Sequence, residues 1–144
     1  MASKLGVKGW HKKVWKVCSR YIRLRDAIET TGEPYYFHCV TCRATTDIKE
    51  GDAGHFMPST RKNTQYNEQN IHAQCKYCNN KNWNQGEQYK HGIAIDQMYG
   101  EGTAQALTSM SSHPKRFTAN ELESLYEHYK EKLSELESTY GEMW

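Results

Sequence analysis

The sequence predicts an α+β fold, in which a zinc ion staples a small core of two antiparallel strands and two long helices flank that core. Four cysteines predict the staple, because they form two Cys-x-x-Cys pairs whose two-residue gaps let both thiolates of a pair face one ion. Apolar residues that repeat at helical spacing predict the flanking helices, one near each end of the chain. The pairs are Cys39/Cys42 and Cys75/Cys78, and the helical repeats run through residues 10–28 and 122–140.

Composition places the chain among polar, soluble proteins. Of its 144 residues 37% are hydrophobic, and its mean hydropathy is -0.94. No apolar run approaches the roughly 20 residues that span a bilayer, and the lysine-rich start lacks the apolar stretch of a secretory signal. We therefore expect a cytoplasmic protein without membrane association, in which reduced cysteines favour metal over disulfide. The length predicts one domain with three parts, namely a basic helix (1–30), the zinc-stapled core (35–100) and a C-terminal helix (117–140).

Positive charge is concentrated at the N-terminus. Residues 1–25 contain eight Lys or Arg and no acid, whereas the remaining eleven bases share the rest of the chain with all seventeen acids. A basic arm on a mildly acidic body indicates a polyanionic partner. A solvated helix face explains the same pattern equally well.

The first helix is predicted from apolar residues at steps of three and four, with the bases largely on the opposite side. Thr31-Gly32-Glu33-Pro34 ends it, since Gly suits a C-terminal turn and Pro cannot continue a helix. The fifth cysteine is predicted to be a small apolar residue on this helix. The apolar residues are Trp10, Val14, Val17, Cys18, Tyr21, Leu24 and Ile28.

The centre of the chain is predicted to be a hairpin between two zinc knuckles. A short strand at 35–38 leads into the first knuckle, and residues 43–51 are predicted to be a loop. Residues 52–57 and 70–74 are the two antiparallel strands, and the polar segment 59–69 is the exposed loop that joins them. The second strand leads directly into the second knuckle.

Helices are predicted for the rest of the chain. The Asn-rich stretch 79–86 has poor helix propensity and supports only a short or distorted helix, followed by helices at 87–99 and 103–110. The last helix starts at a capping box, Thr118-Ala119-Asn120-Glu121. Its apolar stripe is predicted either to pack against the first helix and the core or to support self-association. The stripe comprises Leu122, Leu125, Tyr126, Tyr129, Leu133, Leu136 and Tyr140.

Two residues of the central segment suit the chemistry of phosphodiester hydrolysis. That reaction needs a base that activates water and a divalent cation that neutralises the developing charge. His55 lies on the first hairpin strand and Asn79 in the turn after the second knuckle, so the hairpin brings an imidazole and an oxygen ligand together. This arrangement suits a one-metal nuclease.

The longer pattern resembles a known family. A Cys-x-x-Cys pair is followed by Gly-His, by Asn five residues before the second pair, and by Asn directly after it. This order resembles the zinc-stapled branch of the HNH, or His-Me finger, nucleases. Three segments more narrowly resemble the phage NinG/Rap recombination endonucleases: Asp-Ala-Gly-His-Phe, Tyr-Asn-Glu-Gln-Asn-Ile-His-Ala-Gln-Cys and Cys-x-x-Cys-Asn. With similarity from Trp10 to Phe117-Thr118, the resemblance covers nearly the whole chain.

The resemblance implies a ββα-metal core and a metal-dependent DNA endonuclease that cuts branched recombination DNA, such as D-loops or Holliday junctions. It assigns His55 as the general base and Asn70 as the residue that fixes the hairpin and hence His55. Asn79 is implied to bind a catalytic Mg²⁺ or Mn²⁺, and His72 to meet the scissile phosphate or the metal. The zinc is expected to be structural, because four thiolates leave no open coordination position.

One position departs from the family pattern. Many of these enzymes carry an acid or His immediately before the base, where it binds the metal, and here that residue is Gly54. Asp52 lies two residues earlier, on the same face of the strand, and is the predicted substitute ligand.

DNA contacts are predicted for basic residues of the first helix and of the central segment. A branched-DNA enzyme needs recognition of shape more than reading of bases, so dispersed phosphate contacts suffice. Trp83 or Tyr66 is a candidate for stacking on an unpaired base. The predicted phosphate contacts are Lys12, Lys13, Lys16, Arg20, Arg23, Arg61, Lys62 and Lys81.

Other functions fit the same residues. One is a nicking or restriction-like nuclease of this fold on linear duplex, and another is a zinc-stapled DNA-binding module without catalysis, expected if Gly54 leaves the metal unheld. His55 and His72 are alternatively structural histidines, and Asn79 is alternatively a cap on the helix that follows it. A homodimer would present two sites for the two incisions that a four-way junction requires.

Overall fold

The computed structural model of the protein describes residues 5–80 and 85–144. Its mixture of helices and small antiparallel sheets confirms the predicted α+β class. A single turn of 3-10 helix lies at Glu68–Asn70, and the backbone kinks at Gly86, whose φ is 80°. The helices and strands are α1 (Val7–Thr31), β1 (Tyr36–His38), β2 (Thr45–Asp47), β3 (Asp52–His55), β4 (Ile71–Gln74), α2 (Lys76–Asn79), α3 (Gln88–Tyr99), α4 (Thr103–Ser111) and α5 (Ala119–Tyr140).

The long helix α1 forms as predicted: it contains the whole apolar repeat 10–28 and ends at the predicted turn. Its apolar face is buried, and Cys18 lies within that face with no exposed surface. The helix ends where the amide of Gly32 donates to the carbonyl of Ile28, with Gly32 at a φ of 79°. Only glycine adopts this left-handed conformation at little cost, which explains the end of the helix.

The C-terminal helix α5 packs along α1. The Thr118 hydroxyl accepts the Glu121 amide at 3.1 Å and the Glu121 carboxylate accepts the Thr118 amide at 3.1 Å, which confirms the predicted capping box. Leu122, Tyr129 and Leu133 are buried against α1 and the hairpin. The chain itself therefore covers most of the apolar stripe, while Tyr140 at its end stays exposed, and the homodimer stays a prediction.

A strand that the sequence did not predict lies next to the first knuckle. β2 pairs antiparallel with β1, with Tyr36 opposite Asp47 and His38 opposite Thr45, so the prediction of a loop throughout 43–51 was wrong in this part. The turn between the two strands is the knuckle, since the Cys39 amide donates to the Ala44 carbonyl at 2.9 Å. β2 has only three polar and largely exposed residues, and its sequence lacks the apolar alternation that identifies a strand.

The predicted central hairpin is confirmed, with β3 shorter than expected. Asp52 lies opposite Gln74, Gly54 opposite His72, and His55 opposite Ile71. One face of the hairpin packs its alanines and Ile71 on α1, and the other carries Gly54, His72 and Gln74. The chain leaves the strand after His55, so that Phe56 and the following Met57 join a separate small core.

A buried ion pair on α1 holds the return strand β4. Arg25 donates to Asp26 at 2.7 Å and to the backbone carbonyls of Glu68 and Ile71 at 3.0 and 2.8 Å. The Asp26 carboxylate accepts the Ala73 amide at 2.7 Å. Arg25 therefore serves the fold, although the sequence counts it within the basic arm.

The second small core lies under α3 and α4, where Phe56 and Met57 pack on Ile95 and Leu107. Asp96 accepts the Ala104 amide at 2.9 Å and so stabilises the start of α4. The bounds of α3 and α4 agree with the predicted helices 87–99 and 103–110 to within one residue, which confirms both. In the described part of the chain, no helix is long and apolar enough to cross a membrane.

Candidate functional site

The four predicted zinc ligands converge on one point. The sulfurs of Cys39, Cys42, Cys75 and Cys78 all lie within 4.8 Å of one another, and the Cys42 and Cys75 sulfurs are 3.7 Å apart. Tetrahedral zinc with bonds of about 2.3 Å places its thiolates about 3.8 Å apart, so the cluster fits such an ion with little adjustment. The four cysteines can therefore hold a structural metal such as zinc.

The pKa values of the cysteine thiols also favour a bound cation. Burial alone would raise the pKa of Cys39, but hydrogen bonds from the Cys42 and Cys75 backbone and from Thr41 lower it to about 6. Burial and the nearby charge of Cys39 raise the pKa of both Cys75 and Cys78. One thiolate thus forms readily and opposes ionisation of Cys75 and Cys78, and a divalent cation at the cluster would offset that opposition.

His55 lies at the end of β3 with its ring held on two sides. Its Nε2 and the backbone carbonyl of Gln65 are 2.9 Å apart, and its ring stacks on Trp15 of α1 at 4.9 Å between centroids. A carbonyl only accepts, so Nε2 carries the proton of the neutral ring and the lone pair lies on Nδ1. Burial lowers the pKa of His55 below its ordinary 6.5, and the bond to Gln65 opposes this only in part. The ring is therefore neutral and able to accept a proton at pH 7.

Asn70 stabilises the loop whose Gln65 carbonyl binds the ring of His55. Its carboxamide is fully buried, accepts the Met57 amide at 2.8 Å, and donates to the carbonyls of Met57 and Thr64 at 3.0 and 3.1 Å. Thr64 directly precedes Gln65, whose carbonyl binds His55. The Met57 amide and carbonyl would each cost about 1–3 kcal/mol if left unpaired, whereas the Thr64 carbonyl also accepts the Asn67 amide at 3.1 Å. The geometry thus fits the positioning role that the resemblance implies for Asn70.

Asn79 and Asp52 lie together on the other side of β3. Asn79 closes α2, and its Nδ2 donates to Asp52 at 3.2 Å. Asp52 also forms an ion pair with the exposed Lys76 at 2.9 Å. Asn79 is the last residue of α2. The alternative role, a cap on the following helix, falls on residues 81–84, which lie outside the described residues. Asp52 of β3 and Asn79 of α2 thus bring two oxygen-bearing side chains together on the face of β3 opposite that of His55.

His72 lies elsewhere. It is 2% exposed, its Nδ1 is 3.0 Å from His91 Nε2, and its Nε2 is 2.8 Å from the Tyr99 hydroxyl. Burial lowers the pKa of His72 and of His91 to about 3, so both rings are neutral. With both nitrogens engaged, this geometry favours a structural role for His72 over the predicted contact with phosphate or metal.

A cleft of about 750 Å³ opens beside His55 and Asn79. Lys12 and His11 of α1 and Tyr66 of the loop line its walls. The Tyr66 hydroxyl is 2.6 Å from His11 Nδ1, which ties that ring to the helix and makes stacking on a base less available. The cleft thus combines a candidate base, an oxygen ligand and a positive side chain.

The predicted phosphate-binding residues fall into different surroundings. Lys12, Lys16, Arg20 and Arg23 follow one another at helical spacing along α1, starting at the cleft. Arg20 and Arg23 lie over the ring of Trp144, at 5.5 and 4.9 Å. Lys13 instead lies over Trp10 and Tyr126, away from this row, while Arg61 and Lys62 belong to the loop after β3. Lys81 and Trp83 lie outside the described residues.

Sequence reasoning missed three parts of the site. They are Trp15, which stacks on His55, the Gln65 carbonyl, which fixes its ring, and Gln74, whose side chain fills the space beside Gly54. Trp15 could have been noticed in the sequence, because it directly follows Val14 of the apolar repeat and so lies beside the buried face of α1. A backbone carbonyl has no sequence signal, and Gln74 was counted only as a strand residue.

The fold and the site define a class, namely small α+β proteins with a four-cysteine metal site beside a cleft that contains histidine and asparagine. The family model described as Bacteriophage Lambda NinG protein matches residues 2–139. The chain therefore belongs to the NinG family.

Individual relatives agree with this assignment. The chain is 25% identical to Protein ninG of Escherichia phage lambda over 134 residues, and 24% identical to Protein ninG of Escherichia phage 933W and of Enterobacteria phage VT2-Sa. These matches cover 92% of this chain but 60–61% of each relative, so the chain spans about three fifths of their length. No solved structure matches the chain.

Loss of one thiolate should release the structural metal. In Cys42→Ser, whose side chain is exposed and contributes little packing, we expect bound zinc to fall from one equivalent to well below it. We expect the unfolding free energy to fall by several kcal/mol, because metal binding to such sites contributes directly to folding. Zinc content by mass spectrometry and denaturant unfolding measure the two effects. Cys18→Ser, at the buried fifth cysteine, is the control for zinc content alone and should keep its zinc; retention of one equivalent in Cys42→Ser would contradict the site.

Proposed function

We propose that this protein is a metal-dependent, structure-specific DNA endonuclease with a ββα-metal core, acting on branched recombination intermediates such as D-loops or Holliday junctions. The observation that carries the proposal is the placement of His55, with its lone pair on Nδ1, and Asn79 at one cleft that also contains Lys12. The order β3, β4, α2 supplies these groups as the resemblance to the His-Me finger nucleases implies.

His55 is the proposed general base. The Gln65 carbonyl fixes its tautomer, Trp15 fixes the plane of its ring, and Asn70 fixes the loop that contains Gln65. Such a ring can take a proton from water as the water attacks phosphorus, without first having to rotate or lose a proton. The lowered pKa of His55 keeps it in the accepting form at neutral pH.

Asp52 and Asn79 are the proposed protein ligands of the catalytic cation. Their oxygens are hard donors of the kind that Mg²⁺ and Mn²⁺ prefer, and the Lys76 ion pair on Asp52 is exposed enough to be displaced. When bound, the cation supplies neutralisation of the charge that develops on the phosphate and the leaving oxygen. The Asn79 to Asp52 hydrogen bond holds both groups in place before it binds.

DNA is proposed to follow the basic row on α1 toward the cleft. Lys12 and Lys16 are exposed at the cleft end of this row, and neither takes part in an ion pair in the described part of the chain. Contacts of this kind neutralise phosphates without reading bases, which suits recognition by shape. The preference for branched over linear DNA rests on the resemblance to the recombination endonucleases.

Replacement of the base should abolish cleavage and leave binding intact. For His55→Ala we expect the cleavage rate to fall by roughly 10²–10⁴, the usual contribution of a positioned base, with the Kd for the same DNA within about twofold. Labelled four-way junction, D-loop and matched linear duplex are incubated with Mg²⁺ or Mn²⁺.

The exposed His113→Ala is the control variant for His55→Ala and should cleave normally. Equal cleavage of linear and branched DNA would favour the nicking or restriction-like nuclease. A wild type that binds these DNAs and cuts none of them with either ion would leave the binding module as the function.

The pH dependence of cleavage should report His55. Because burial lowers its pKa, the rate should rise with pH to a plateau, with the midpoint below the ordinary 6.5 of histidine. Protonation of the base accounts for the loss of rate on the acid side. Zinc content measured at each pH separates this loss from release of the structural metal. A midpoint clearly above 6.5 would contradict the assignment.

The basic row should determine how binding depends on salt. Each phosphate contact contributes roughly 0.9 to the slope of log K against log salt, so the double variant Lys12→Ala, Lys16→Ala should lower that slope by about 2. Binding titrations across a range of salt concentrations measure it. Exchange of two exposed lysines on other helices, Lys90→Ala and Lys130→Ala, is the control. An equal change of the salt slope in both double variants would show that the basic row contributes no more to DNA binding than other exposed lysines.

A further inference from the structure

Gly54 occupies the position at which related nucleases carry a metal ligand, and a neighbouring side chain closes it. Its backbone is an extended strand, which any residue adopts, so the conformation does not require glycine. The obstacle is steric, since a Cβ on Gly54 would overlap Gln74 Oε1 and would lie 3.2 Å from Asn79 Oδ1. Gln74 reaches this place from β4, the partner strand.

The orientation of the Gln74 carboxamide is fixed by its other bonds. Its nitrogen donates to the Gly86 carbonyl at 2.9 Å and to the Thr41 hydroxyl at 3.1 Å. A backbone carbonyl cannot donate, so the NH₂ group must lie on that side. The carbonyl oxygen Oε1 must then face Gly54 and Asn79.

Among the described residues, the Gln74 carbonyl oxygen has no hydrogen-bond partner. Gln74 is completely buried, and its Oε1 accepts no hydrogen bond from the described residues. Buried polar atoms are almost always paired, so an orphan acceptor of this kind calls for an explanation, and a bound cation is one that the surrounding oxygens favour. Asn79 presents the same kind of atom to the same place, because its Nδ2 is committed to Asp52 and its Oδ1 is turned toward Gly54.

We propose that Gln74 Oε1 is a third oxygen ligand of the catalytic cation, together with Asn79 Oδ1 and the Asp52 carboxylate. The ligand absent from residue 54 is supplied across the hairpin by the side chain that fills its space. Amide and carboxylate oxygens are suitable donors for Mg²⁺ or Mn²⁺. This inference rests on the proposed metal-dependent function.

Cation affinity, measured without DNA, tests the ligand directly. The zinc-loaded full chain is titrated with Mn²⁺, and free Mn²⁺ is followed by electron paramagnetic resonance. Gln74→Met keeps the length of the side chain and removes the oxygen, and we expect it to raise the Kd for Mn²⁺ by roughly tenfold or more. Gln88→Met, which removes another carboxamide bonded to a backbone carbonyl at the cleft, should leave the Kd within about twofold.

A swap of the ligand between strands distinguishes coordination from packing. Gly54→Asp alone overlaps Gln74, and Gln74→Ala alone lacks the oxygen, so each should weaken Mn²⁺ binding. The double variant Gly54→Asp, Gln74→Ala has space for a carboxylate on β3, and its affinity should return to within about threefold of wild type. Circular dichroism and zinc content establish that each variant is folded.

The outcomes separate this inference from the proposed function. Unchanged Mn²⁺ affinity in folded Gln74→Met, or no recovery in the folded double variant, overturns the role of Gln74, while cleavage that depends on His55 would still support the nuclease. Binding of Mn²⁺ that depends on Gln74 in a protein that cuts no DNA supports the ligand and overturns the nuclease. A wild type that binds no Mn²⁺ overturns both.

Discussion

The convergence of four cysteine sulfurs is the constraint on which the rest of the structure depends. It joins the turn between β1 and β2 to the junction of β4 with α2, and its Cys42 and Cys75 are 33 residues apart in the chain. β3 and β4 have four residues each, and a two-stranded hairpin of this size is only marginally stable alone. Because α2 follows Cys75 immediately and ends at Asn79, the cluster also determines where the Asn79 oxygen lies beside β3.

Much of this arrangement is encoded locally and can be predicted from the sequence. The apolar repeat gives α1 and the face it buries, the capping box gives the start of α5, and the spacing of the cysteines gives the cluster. The choice of His55 and Asn79 as candidate site residues follows from their positions relative to the two Cys-x-x-Cys pairs. In each of these cases a pattern within a few residues carries the information.

The rest depends on contacts between distant segments. Trp15 meets His55 across forty positions, and the three-residue strand β2 exists only because β1 offers it a partner. His72 looks catalytic in its motif, yet its neighbours His91 and Tyr99 come from α3 and enclose it. The proposed role of Gln74 depends on the space above Gly54, which only the pairing of β3 with β4 reveals. No local pattern specifies such pairs.

The buried pair of Arg25 and Asp26 has a consequence for misfolding. Strands of four residues have few cross-strand contacts, so slippage by one residue would cost little within the hairpin itself, yet it would turn every side chain to the opposite face. The Asp26 carboxylate accepts the Ala73 amide and Arg25 donates to the Ile71 carbonyl. A shift of β4 along α1 would break both bonds. Desolvation of such a pair makes its net contribution to stability small. The pair fixes where β4 lies on α1, and β3, which pairs with β4, then carries His55 to Trp15.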